Sequence, residues 1–63
     1  MNAVEVVAER MAELNNDIEN TQNRMNIYDE ENIQYKILAD KLDRLFVLKE
    51  QNETIYMMLR GFQ

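Results

Sequence analysis

The chain has 63 residues, with twelve acids against seven bases for a formal net charge of −5. It holds no Cys, His, Ser, Trp or Pro, and a single Gly. Without Cys or His there is no disulfide framework and no ordinary zinc, copper or haem site; with Ser absent too, every common pairing of a nucleophile with an imidazole-type base is closed. The expectation is a protein that is not an enzyme and uses no cofactor or metal.

A hydrophobic share of 46% belongs to a folded chain rather than to a disordered acidic tail. At this length a single core supplies at most ~3–5 kcal/mol, which small domains supplement with disulfides, a metal or a second subunit. The first two are closed, so self-association is expected, with a dimer as the simplest form. Glu5 stands where an export signal would carry basic and then apolar residues. The longest apolar runs, Leu45–Leu48 and Ile55–Leu59, fall far short of the ~20 residues of a membrane span. The expected location is cytoplasmic, with no membrane partner.

Taken in chain order, the first helix opens at Asn2, a capping residue, with Glu5 three positions on as its capping-box partner. Val4, Val7, Met11, Leu14, Ile18, Thr21, Met25 and Tyr28 then recur at spacings of three and four. Asn26 suits the left-handed residue that ends a helix, and Arg24 is favourably charged in the turn before it. A second series, Tyr35, Leu38, Leu42, Leu45, Lys49, Asn52, Tyr56 and Leu59, repeats the spacing out of phase with the first. The change of phase over residues 29–34 admits one long helix with a slipped seam, or two helices joined by a turn. Asp29 as N-cap, with Glu30 and Glu31 in the first turn behind it, favours the turn. Gly61 after Arg60 is the expected stop. The reading is one all-α domain over residues 1–63, an antiparallel, coiled-coil-like two-helix hairpin. Its helices cover about 3–26 and 32–60, with a turn over about 27–31.

Charge supplies a register. Residues 1–31 carry eight acids and two bases, and residues 32–63 four acids and five bases. Folding the chain near residue 30 brings Asp17 to Arg44, Glu13 to Lys49 and Arg10 to Glu50. The same register sets Leu14 against Phe46 and Val47, and Ile18 against Leu42. Exposed ion pairs are worth at most ~1 kcal/mol each, so these select the register more than they stabilise it. The apolar surface is wider than a two-helix seam needs. Ile37, Leu38, Ala39, Leu42, Leu45, Phe46, Val47 and Leu48 cover well over one stripe, as do Val4, Val6 and Val7. Such a surface marks an interface. The simplest closure is a two-fold dimer making a four-helix bundle, with Leu38, Leu42, Leu45 and Phe46 holding the copies together.

Four features remain as candidates for function. Glu5, Glu9, Glu13 and Asp17 follow a spacing of four along one ridge of the first helix, a surface for a basic partner or, more plainly, a solvated face. Lys36, Lys41, Arg44 and Lys49 offer phosphate contacts in the alternative of a nucleic-acid-binding dimer, with Asp40 and Asp43 interleaved against it. Thr21, Lys49 and Asn52 are polar positions in the seams, which either set register or occupy its wet parts. Met57, Met58, Leu59 and Phe62 form an apolar end expected to pack against Val4–Val7. Asp29-Glu30-Glu31 lacks the alternating ligand spacing of a calcium loop and reads as capping. The functional expectation is a small acidic protein–protein interaction module, an accessory regulator or inhibitor of a larger, unidentified protein. A nucleic-acid-binding regulator and a structural subunit of a larger assembly are the alternatives.

Overall fold

A computed structural model describes residues 2–61, and they form two helices packed against each other. The first, α1, spans Ala3–Met25, and the second, α2, spans Ile33–Gly61. The molecule measures 48 × 16 × 11 Å. One continuous helix over residues 3–61 would be ~88 Å long at ~1.5 Å per residue, so the long dimension alone requires the chain to double back. Of the two arrangements the phase change admits, the hairpin is the one adopted. Among the described residues, no helix is long and apolar enough to cross a membrane.

Helix α1 begins as its sequence dictates. Asn2 is extended, and its side-chain oxygen accepts the Glu5 backbone N–H at 2.9 Å, satisfying one of the orphan donors of the first turn. The other end departs from expectation. Asn26 keeps right-handed helical geometry (φ −64°, ψ −13°), and no described residue has positive φ. The helix instead unwinds by tightening: Ile27 donates to the Arg24 carbonyl and Tyr28 to the Met25 carbonyl, both three residues back. These bonds take up the terminal carbonyls, so no left-handed residue is needed.

The N-cap of α2 is also corrected. Asn32 accepts the Gln34 backbone N–H at 2.8 Å through its side chain, and α2 starts at Ile33. Asp29 lies three residues upstream, its carbonyl accepting from Asn32 N–H at 2.9 Å. That bond closes a turn with Glu30 and Glu31 at its centre, so the three carboxylates belong to the connection and none enters the first turn of α2. The chain has to cross the ~8–10 Å between packed helix axes before α2 can start, and these residues make the crossing.

The core follows the two seams. Leu14, Ile18, Met25, Leu38 and Leu45 are buried, and Leu42 packs against the Leu14–Ile18–Leu45 cluster. Val4, Val7, Met11, Tyr35, Tyr56 and Leu59 are half-buried. Burial is therefore densest toward the turn and thins toward the open end. Ile18 meets the Leu42–Leu45 level as the register predicts, but Leu14 packs with Leu45; Phe46 and Val47 stay exposed. Successive helical residues point ~100° apart, so only one of three neighbours can face the seam. Met57 and Met58 are exposed for the same reason, leaving Leu59 as the half-buried residue of that end. Phe62 lies outside the described residues.

The polar seam positions are satisfied locally. Thr21 is 2% exposed, and its hydroxyl donates to the Asp17 carbonyl one turn back at 2.7 Å. Half-buried Asn52 donates to the Leu48 carbonyl at 2.8 Å, and half-buried Lys49 lies 3.9 Å from Glu53 on its own helix. Lys49 and Asn52 thus sit in the wetter half of the seam, whereas Thr21 sits in the dry half.

Candidate interaction faces

Helix α1 is amphipathic in the ordinary sense, with one apolar stripe turned to α2 and polar residues elsewhere. Glu5, Glu9, Glu13 and Asp17 are all exposed. A spacing of four advances ~40° per step, so the ridge winds ~120° around α1 while climbing ~18 Å. Glu9 faces most directly away from α2, with Glu5 and Glu13 to either side of it, and Asp17 stands nearest the seam. Arg10 reaches Glu13 at 3.4 Å within the same helix, drawing one of the four carboxylates into a local pair. The ridge is a winding band of exposed carboxylates rather than a flat plate.

The expected ion pairs between helices do not form. Both ion pairs among the described residues, Arg10–Glu13 and Lys49–Glu53, join residues of one helix. Neighbours one turn apart already lie within reach on a helix surface. A pair across the hairpin orders two long side chains for little gain in water, so register here rests on the apolar seam.

The four basic candidates do not share one surface. Lys36, Lys41 and Arg44 are exposed on the outer side of α2, while Lys49 turns toward the seam and Glu53. Asp40 lies four residues from both Lys36 and Arg44, which places a carboxylate between them on the same arc. This mixed arc is poorly suited to a polyphosphate backbone.

The four expected dimer residues divide. Leu38 and Leu45 are buried in the hairpin seam and Leu42 packs beside them; Phe46 alone of the set is exposed. A residue spent on α1 is not free for a second chain. The apolar surface that remains is on α2 all the same. Eleven large apolar side chains are exposed among the described residues, and eight of them belong to α2: Ile33, Ile37, Phe46, Val47, Leu48, Ile55, Met57 and Met58. On α1 only Val6 joins them. Two shallow grooves run over the outer side of α2. One is lined by Asp43, Arg44, Val47, Leu48 and Gln51, the other by Val47, Glu50, Gln51, Thr54 and Ile55, so they share Val47 and Gln51.

Ile33 and Ile55 extend this face beyond the residues that the sequence pattern singles out. The signal was present in the spacing. Ile37, Leu48 and Ile55 are separated by eleven and seven residues, both near whole numbers of turns, so they share one line along the helix. A search for one apolar stripe per helix stops at the stronger seam and misses the second. Compared with family models, with curated proteins and with solved structures, the chain matches none.

Proposed function

We propose that this chain is a non-enzymatic protein–protein interaction module, a small accessory regulator or inhibitor that pairs with itself into a four-helix bundle and offers an acidic surface to a larger, basic protein partner. The division of labour between the two helices carries the reading. One helix buries its single apolar stripe and turns carboxylates outward, while the other buries one stripe and leaves a second uncovered. Exposed apolar residues aligned over several turns are unfavourable in water unless something covers them. A carboxylate band on the opposite helix needs no such cover and suits recognition by Lys- and Arg-rich surfaces. The residue inventory supports the non-enzymatic reading, since the common nucleophiles and the imidazole base are missing from the sequence.

The test is affinity capture from the native host with the natural chain and with a Glu5→Lys, Glu9→Lys variant. Glu13 is left in place because Arg10 holds it. The reading expects a partner that binds the natural chain, is weakened by salt and is lost from the variant. Equal capture by both chains would remove the ridge from the partner surface.

A further inference from the structure

We infer that the uncovered face of α2 is the dimer interface, that its occupant is a second copy of this chain, and that the two α2 helices meet antiparallel about a two-fold axis near residue 46. This deepens the self-association proposed above and rests on it. The stripe is its own complement. Reflected through residue 46, Ile37 falls opposite Ile55 of the second copy, Lys41 opposite its Gln51, and Arg44 opposite its Leu48. An isologous two-fold interface demands this self-matching, and a foreign partner would not.

Charge selects the direction. A parallel pairing would set two Arg44 side chains face to face in the middle of the stripe. It would also bring together two Asp29–Glu31 turns, each with three carboxylates. The antiparallel pairing lays the stem of Arg44 over an apolar side chain with its head at the edge, and sends the acidic turns to opposite ends. The arrangement also engages α1. Stepping a quarter turn back from the seam reaches the stripe on α2 and the flank carrying Arg10 and Asp17 on α1. In an antiparallel pair of right-handed helices those two flanks open on the same side. The same reflection brings Arg10 about level with Asp17 of the second copy, twice by symmetry.

Area agrees. From Ile33 to Met58 the stripe is ~38 Å long, and at a helix width of ~10 Å one helix row covers ~380 Å² per copy. Two such rows facing each other bury ~760 Å², below the ~1,200 Å² at which stable interfaces begin; adding the α1 row gives ~1,500 Å², the standard size. Both helices of each copy therefore take part, which makes the four-helix bundle.

The chain has no cysteine, so single substitutions report cleanly. Ile37→Cys and Ile55→Cys chains are prepared separately and also mixed, unfolded and refolded together, then oxidised; sedimentation equilibrium follows the natural chain. Disulfides need Cα atoms within ~7 Å. Two copies of position 55 lie ~27 Å apart in the antiparallel pairing, whereas position 37 of one copy meets position 55 of the other. The expected result is a dimer that links only in the mixture. Linking of each variant to itself means a parallel pairing and overturns the inference, as does a dimer in which neither position links; both leave self-association standing. A chain that stays monomeric at ~100 µM, well above the ~1 µM at which a −8.2 kcal/mol interface half-assembles, overturns both.

Discussion

Thr21→Val is the sharpest probe of the core. Thr21 is 2% exposed in a seam of Leu, Ile and Met residues, and its hydroxyl reaches only the Asp17 carbonyl of its own helix. That carbonyl stands one turn back and is the regular acceptor for the Thr21 backbone N–H, so losing the hydroxyl leaves no buried group without a partner. The loss removes a hydrogen bond of net worth ~0.5–1.5 kcal/mol. Against it stands the ~0.8 kcal/mol contributed by a buried methyl, the bond's net worth being already set against the cost of drying the hydroxyl. The balance lies within about 0.7 kcal/mol of zero, a change in Tm of ~5 °C at most for a domain of this size. Thr21→Ser serves as the control, since it keeps the hydroxyl and deletes the packed methyl, and should cost about 1 kcal/mol. Urea unfolding followed by helical circular dichroism measures both, at one protein concentration because self-association moves the midpoint. A loss of 1 kcal/mol or more in Thr21→Val would refute the reasoning. It would mean that the hydroxyl serves something beyond its own helix. An unchanged midpoint with a lower m-value would point instead to lost uniqueness of register.

Other outcomes follow from the same geometry. Leu14→Ala empties the centre of the buried cluster, where Leu14 is 2% exposed, and should cost about 3 kcal/mol in the same urea assay. Asn32→Ala removes the side chain that caps α2 and should cost about 1 kcal/mol, while Asp29→Ala, with no cap to lose, should fall within about 0.5 kcal/mol of the natural chain. Spin labels at positions 4 and 56, read by pulsed dipolar spectroscopy in a magnetically dilute sample, should give a separation under ~20 Å; a continuous helix would put them ~78 Å apart. Met57→Glu is a surface change away from the inferred two-fold stripe and should leave the association constant unaltered by sedimentation, whereas Leu48→Glu on the stripe should weaken it at least tenfold.

The start of helix α1 and its buried stripe were legible residue by residue, though not the way the helix ends at Asn26. Its cap, its stripe and its last-turn Arg24 all follow from local spacing and from residues that interact within a few positions of each other. The two seams were legible for the same reason: a 3.6-residue period is written in one dimension, and Leu14, Ile18, Leu38 and Leu45 each recur on it. The break in phase told where one seam ends and the other begins. It did not tell which of several polar residues would cap the second helix, because Asp29 and Asn32 are both good caps. The length of connection needed to bring α2 alongside α1 decided for Asn32, and that distance exists only once the helices are packed.

The candidate interface was harder to read because α2 carries more than one apolar arc. Leu45, Phe46 and Val47 are consecutive and all hydrophobic, so their composition cannot rank them for burial. Leu45 is buried and the other two are exposed because the register with Leu14 and Ile18 admits one direction, and each neighbour lies ~100° away from it. The sequence by itself determined two amphipathic helices, the stripe each has to bury and the carboxylates α1 keeps in water. Only the tertiary structure decided which apolar arc of α2 the chain buries against itself. Burial is a property of the packed pair, and whatever the first contact leaves uncovered becomes the surface available for a second.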